Sequence, residues 1–150
     1  MLLATHSIVA ASAGEAVGNP VYAFLLGVVI HFVLDAIPHY DTTDGGVWTT
    51  RQYLLVVIDA IIGLLVLGFI FFGYSTHKAA FVCGAVGGIL PDLLSSLPPV
   101  KSEIMKTSPG RAFQKFHESI QKIDVTPIPG TAVQLVISVI SIYLLFRYVV

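Results

Sequence analysis

The stretch that decides the fold is Gly27-Val28-Val29-Ile30-His31-Phe32-Val33-Leu34-Asp35-Ala36-Ile37-Pro38-His39-Tyr40-Asp41. It places histidine and aspartate at four-residue spacing in a segment apolar enough to enter a bilayer. An aspartate at the centre of a membrane helix costs roughly 2.5–3.5 kcal/mol on insertion scales, so we expect such groups to face a protein interior and to have a function. The pattern predicts a helix with one buried polar stripe.

The composition of the whole chain indicates a membrane protein. Of its 150 residues, 55% are hydrophobic and 11% are charged, whereas a soluble domain carries about 25% charged residues. The net charge is −1, and no run of basic residues suggests a nucleic-acid partner. A single cysteine, Cys83, excludes an internal disulfide framework. We therefore expect an all-α integral membrane protein in contact with membrane lipids.

Five hydrophobic segments and one amphipathic segment make up a single domain over residues 1–150. The turn Gly18-Asn19-Pro20 separates the first two segments, and Tyr53 and Tyr74 bound the third as interfacial aromatics. Apolar side chains recur at helical spacing around His117, which predicts an amphipathic helix on the membrane surface or over the bundle. The predicted spans are 2–18, 21–38, 53–74, 79–97 and 129–149, and the predicted amphipathic helix is 110–123.

The distribution of basic residues predicts the orientation of the chain. Six of the eight Lys and Arg residues lie in the connections after the second and fourth segments, against Lys78 and Arg147 on the other side. The positive-inside rule then places these connections and the N-terminus in the cytoplasm. The first six residues contain no Lys or Arg, so we expect a retained helix in the cytoplasmic (inner) membrane rather than a signal peptide.

This topology brings seven ionisable side chains to a similar depth near one membrane face, at about 1.5 Å of rise per residue. Small residues continue each stripe at four-residue spacing, so we expect the ionisable groups to lie on packed helix faces. Helix packing alone does not explain why every stripe carries an acid or a histidine at the same end. We therefore predict a metal site at that end. The seven residues are His6, His31, Asp35, His39, Asp59, Asp92 and His117. Glu15 and His77 lie at a different depth and are excluded.

Imidazole and carboxylate ligands together suit zinc or another divalent ion, such as manganese. Such an ion beside a phosphate ester polarises the phosphoryl oxygen and generates hydroxide near neutral pH. The basic residues in the connection after the fourth segment favour an anionic substrate at the cytoplasmic surface. Asp41 and Asp59 are the candidates for a base or for a group that supports the ligands. The predicted metal ligands are His6, His31, Asp35, His39, Asp92 and His117.

Three segments of the chain resemble a known family. Met1–His6, His31–Asp41 and Ile89-Leu90-Pro91-Asp92 look like segments of the small membrane-bound metal-dependent hydrolases of bacteria and archaea. That family is related to LexA-regulated inner-membrane hydrolases and is compared with zinc-dependent phospholipases C. The resemblance covers roughly residues 1–120 and implies a metal-ligand role for His6, Asp35, His39, Asp92 and His117. In two places the chain departs from the family, since Leu93-Leu94 replaces an acid and His117 replaces a pair of histidines.

We therefore predict a membrane-embedded metal-dependent hydrolase that acts on a phosphate ester of a lipid or lipid-linked substrate at the cytoplasmic leaflet. Two other hypotheses stay open. A metal- or proton-binding transport subunit would use His31, Asp59 and Asp92 as a relay and would need a homo-oligomer, built on Gly14-x3-Gly18 or Gly84-x3-Gly88. A non-catalytic membrane protein would use the polar groups only to hold its helices together, and would bind no metal.

Overall fold

The computed structural model describes residues 3–40, 49–120 and 125–149, which form seven helices and no strand. The prediction of an all-helical chain is therefore confirmed. The helices are α1 (Leu3–Val17), α2 (Pro20–Asp35), α3 (Thr50–Gly73), α4 (Lys78–Ser96), α5 (Pro98–Ile104), α6 (Ser108–Ile120) and α7 (Pro127–Tyr148).

Three of the described helices, α3, α4 and α7, are long and apolar enough to cross a membrane. The prediction of about five spanning helices is wrong in number. Helices α1 and α2 have 15 and 16 residues, and at about 1.5 Å per residue they fall short of a hydrocarbon core about 30 Å thick. Instead, α1 is the central helix of the bundle, because ten of its residues are buried and it packs on α2, α3, α4 and α7.

A tight turn joins α1 to α2, as the sequence predicts. Gly18 has a φ angle of +69°, a left-handed conformation that glycine adopts without steric cost. The Asn19 side chain then accepts hydrogen bonds from the backbone N–H groups of Val21 and Tyr22 at 3.0 and 3.2 Å, which caps the start of α2. The two helices consequently run antiparallel and in contact.

Glycines allow α1, α2 and α4 to approach one another closely. A Cβ atom at Gly84 would collide with the carbonyl oxygen of Ala10, and one at Gly88 would lie 2.7 Å from the carbonyl oxygen of His6. A Cβ atom at Gly27 would lie 2.5 Å from the carbonyl oxygen of Gly84. These contacts confirm the predicted small-residue stripes, whose ends carry the acids and histidines.

The same contacts bear on the homo-oligomer that the transport hypothesis needs. Gly14 packs against the backbone of Ala80 and Gly84 within one chain. Both glycine pairs that were predicted to join subunits therefore contribute to the interior of the bundle.

The two ends of the bundle have different polar groups. At one end, Glu15 is fully buried and its carboxylate accepts hydrogen bonds from Ser75 Oγ at 2.7 Å and from the backbone N–H groups of Thr76 and His77 at 2.7 and 2.8 Å. These bonds satisfy donors at the start of α4. We call this the Glu15 end. The opposite end, where α2 and α4 finish and α3 begins, carries Asp35 and is called the Asp35 end.

Helix α6 covers residues 110–120 of the predicted amphipathic helix, and residues 121–123 of that prediction lie outside the described part of the chain. Helix α5 precedes α6 as an additional short helix. The buried residues of α6 are Gly110, Gln114 and His117, whereas Phe116 is 52% exposed. The buried face of α6 is therefore centred on His117 rather than on the phenylalanines of the predicted apolar face.

Candidate metal centre

Helix α2 supplies the first two side chains of the site. His31 and Asp35 are four residues apart, so they lie one above the other on one helix face. The Nε2 atom of His31 is 3.1 Å from Oδ2 of Asp35. Both residues are buried, with 0% and 2% of their surface exposed. The four-residue spacing in the sequence thus places an imidazole and a carboxylate together inside the bundle.

Asp92 of α4 and His117 of α6 complete a set of four. The Nε2 atom of His117 is 3.3 Å from Oδ2 of Asp35 and 3.4 Å from Oδ1 of Asp92. It is also 3.1 Å from Nε2 of His31. One ligand atom from each of the four residues lies within 4.8 Å of the others, and all four residues are buried. This set could hold a metal ion.

The spacing of the four residues fits a tetrahedral ion. The five N–N and N–O distances that involve a histidine range from 3.1 to 3.8 Å, and the sixth pair, the two carboxylate oxygens, lies within 4.8 Å. A tetrahedron with metal–ligand distances of about 2.0–2.1 Å has edges of about 3.3–3.4 Å. Two carboxylates in a buried site also carry a charge of −2, which a divalent cation would neutralise where water cannot. The donor set therefore fits a divalent ion in both size and charge.

The second ring nitrogen of His31, Nδ1, fixes the tautomer and the orientation of the imidazole. Nδ1 lies 2.8 Å from the carbonyl oxygen of Gly88. A carbonyl oxygen only accepts hydrogen bonds, so Nδ1 donates and carries the proton. In the neutral ring, Nε2 then directs its lone pair at the other members of the set. Backbone carbonyls orient metal-binding histidines in this way.

His6 of α1 lies behind the two carboxylates. Its Nε2 is 3.3 Å from Oδ1 of Asp35 and its Nδ1 is 3.3 Å from Oδ2 of Asp92. Each carboxylate thus directs one oxygen to the set of four and the other oxygen to His6. The His6 ring is completely buried, yet neither nitrogen makes a hydrogen bond of good geometry. A buried imidazole in that state suits a site that a cation completes.

His117 is the member of the set that lies outside the spanning helices. Burial alone would lower the pKa of its imidazole, but hydrogen bonds to Asp35 and Asp92 outweigh burial and raise that pKa to about 9. In the metal-free site, His117 therefore carries a proton at neutral pH and balances part of the carboxylate charge. Metal binding must displace this proton.

The remaining predicted site residues lie elsewhere. His39 is buried beyond the end of α2, with Nδ1 2.6 Å from the carbonyl oxygen of Ile37, and it is not a member of the set. Oδ2 of Asp59 accepts a hydrogen bond from the backbone N–H of Ala4 at 3.0 Å, so Asp59 satisfies a donor at the start of α1. Asp41 lies outside the described residues.

Two contributors to the site carry no signal in the sequence. The carbonyl of Gly88 orients His31, but the sequence indicates Gly88 only as a small packing residue. Phe32 lies edge-on to His31 and to Phe116, with ring centroids 5.1 Å apart in both cases. An aromatic side chain in an apolar helix is too common to mark a site.

No family profile, no curated protein and no solved structure matches the chain.

Proposed function

We propose that the protein is a membrane-embedded, zinc-dependent hydrolase of lipid or lipid-linked phosphate esters. The observation that carries this proposal is the buried set of His31, Asp35, Asp92 and His117, with distances that match a tetrahedral site. Mixed imidazole and carboxylate ligation at these distances favours zinc, and manganese is the alternative ion. A divalent ion at this site would polarise a phosphoryl oxygen and supply hydroxide near neutral pH.

The exposed edge of the set gives the side on which a substrate would approach. The side chains of His31 and Asp35 have no exposed surface, whereas those of Asp92 and His117 are 10% and 4% exposed. A phosphate would therefore reach the set past α4 and α6. The carboxylates of Asp35 and Asp92 would hold the ion through one oxygen each, and His6 lies 3.3 Å from the other oxygen of each carboxylate.

The charge at the Asp35 end supports an anionic substrate. Helices α5 and α6 and the turn between them follow the end of α4 and carry four of the eight Lys and Arg residues of the chain, Lys101, Lys106, Arg111 and Lys115. Basic residues beside a membrane attract anionic head groups at about 1 kcal/mol each. We propose that this end faces the cytoplasm across the inner membrane, since the positive-inside rule favours that orientation.

Asp59 is bonded to the start of α1, so of the two acids that the sequence offers as a base, Asp41 is the one that we propose would activate water. The resemblance to membrane-bound metal-dependent hydrolases at His6, His31–Asp41 and Pro91-Asp92 also favours hydrolysis.

A structural metal is the second candidate function. Four protein ligands close a tetrahedral zinc site, whereas catalytic sites usually keep one position for water. The set also joins α6 to α2 and α4, and α6 makes few other contacts with these two helices. In this alternative the ion fastens α6 over the Asp35 end and takes no part in a reaction.

One experiment separates the two functions. The detergent-purified protein is loaded with zinc or manganese and assayed on bis(p-nitrophenyl) phosphate, p-nitrophenyl phosphate and micellar phosphatidic acid. Hydrolysis that needs the metal, disappears in Asp92→Asn and persists in Glu15→Gln at the far end would support the hydrolase. Loss of thermal stability on metal removal, with no turnover of any of the three esters, would reject it in favour of the structural metal.

A further inference from the structure

A groove runs between α3 and α4, and α1 forms its floor. Its volume of about 630 Å³ lies within the range of roughly 300–1,000 Å³ found for ligand sites. Ser7 is the polar residue of its lining, and the Ser7 hydroxyl already donates to the carbonyl of Ala4 at 3.0 Å. The groove therefore offers its occupant apolar surface alone.

The groove exists because α3 and α4 both pack on α1 and make few contacts with each other. Toward the Glu15 end, the rings of Phe71 and Phe81 line the groove from its two walls and lie 6.3 Å apart. Toward the Asp35 end, its lining includes Leu3 and Ala4 of α1 and Leu93 of α4.

The groove lies at the depth of the hydrocarbon core. Both of its walls are helices that can span a membrane, and Leu64 on its α3 wall is 69% exposed. In a bilayer, this open side faces acyl chains rather than water. A hydrocarbon chain is therefore the occupant that the position and the chemistry of the groove both favour.

One end of the groove lies at the depth of the candidate metal centre. Its α4 wall includes Ile89 and Leu93, and Leu93 directly follows Asp92 of the centre on the same helix. Its floor includes Ala4, which lies two residues before His6. A chain that fills the groove would therefore end at about the depth of the ligands.

We propose that this groove binds one hydrocarbon chain of an amphiphile whose phosphate head group lies at the set of His31, Asp35, Asp92 and His117. The inference rests on the proposed function and narrows its substrate class to lipids with a long, unsubstituted chain. Lipid tails are as apolar as the groove, so transfer from the bilayer adds little affinity. The groove instead orients the chain, which keeps the head group beside the ligands.

Two glycines of α3 provide a matched test. A Cβ atom at Gly68 or at Gly73 would meet nothing within 4 Å, so the protein has room for a side chain at both positions. Gly68 lines the groove, whereas Gly73 does not. Gly68→Leu therefore fills the groove, and Gly73→Leu adds the same side chain outside it.

The test uses the full chain in vesicles of phosphatidylethanolamine and phosphatidylglycerol that contain a trace of phosphatidic acid with a diazirine in one acyl chain. After irradiation, labelled peptides are identified by mass spectrometry. We expect labels to concentrate on residues 63–72 and 81–93. We also expect Gly68→Leu to reduce them about tenfold, because the leucine occupies the space that the acyl chain would fill, while Gly73→Leu leaves them unchanged.

A second probe tests the head group. Diacylglycerol with the same diazirine chain lacks the phosphate, so we expect it to label the groove several-fold less. Equal labelling by the two probes, even labelling of all lipid-facing helices in the wild type, or crosslinks between two chains at the groove would overturn the proposal. Labelling needs no turnover, so a protein that labels as expected but hydrolyses nothing would retain the lipid site and lose the proposed function.

Discussion

The Nδ1 atom of His31 on α2 lies 2.8 Å from the carbonyl oxygen of Gly88 on α4. Because that oxygen can only accept, the contact leaves Nε2 of His31 free of a proton in the neutral ring and directed at Asp35 and His117. The carbonyl is within reach because glycines let α2 and α4 approach closely. The close helix packing thus also orients a candidate metal ligand.

Gly84→Ala tests this packing. The new Cβ atom would collide with the backbone of Ala10, which belongs to a helix that cannot move aside, so we expect a loss of about 1–3 kcal/mol in unfolding free energy. Gly73→Ala is the control, because its Cβ atom meets open space. The measurement is the unfolding midpoint in mixed micelles, and equal midpoints for the two variants would contradict the packing described.

Asp59→Ala separates a structural role from a catalytic one. The variant removes the acceptor for the Ala4 N–H at the start of α1, and we expect a loss of about 0.5–2 kcal/mol in stability, as for other helix caps. We also expect the metal content and the turnover per bound metal to stay unchanged. If the variant had normal stability and metal content but no turnover, the result would instead indicate a catalytic role for Asp59.

Glu15→Gln tests the polar cluster at the other end of the bundle. The buried carboxylate accepts from Ser75 Oγ and from the N–H groups of Thr76 and His77. The NH2 group of glutamine would face one of these donors and could not accept its hydrogen bond. We therefore expect a loss of about 1–3 kcal/mol in unfolding free energy with no change in metal content. Glu118→Gln, at an exposed position on α6, is the control and should shift stability by less than about 0.5 kcal/mol. Equal effects of the two substitutions would argue against the capping role.

The metal affinity should depend on pH through His117. Protons and metal compete for its Nε2, and the carboxylates of Asp35 and Asp92 raise the pKa of the metal-free imidazole to about 9. Below that pH, binding must release a proton, so the apparent affinity should rise about tenfold per pH unit and level off above pH 9. Zinc titrations with a competing chelator between pH 6 and 9.5 measure this slope. An affinity that is flat over this range in the wild type, or equally steep in His117→Gln, would be inconsistent with the mechanism.

The sequence predicts the parts of the fold that depend on local spacing. The four-residue repeats correctly indicate which faces of α1, α2 and α4 pack together, because a helix turn fixes those faces whatever the neighbouring helices do. They also place His31 beside Asp35. The turn at Gly18 follows from residue types that permit a left-handed backbone and a helix cap.

Other features depend on contacts between distant segments, and spacing alone cannot reveal them. Asp59 and Gly63 are four residues apart, as in the stripes of the other helices. The carboxylate of Asp59 nevertheless accepts a hydrogen bond from the backbone of Ala4, 55 residues away. The apolar composition of α1 and α2 predicts that they span the membrane, but both helices are too short to do so. Helix α1 is apolar because other helices surround it. The start of α5 at Pro98-Pro99 resembles a loop in sequence, although proline also favours the first turn of a helix.

The metal content of the detergent-purified protein, measured by elemental mass spectrometry, tests the central claim most directly. We expect about one divalent ion per chain in the wild type. We expect the same in His39→Ala, since His39 lies outside the set of four, and almost none in the double variant Asp35→Asn, His117→Gln. A wild-type protein that binds neither zinc nor manganese after supplementation, or a double variant that keeps its metal, would contradict the account.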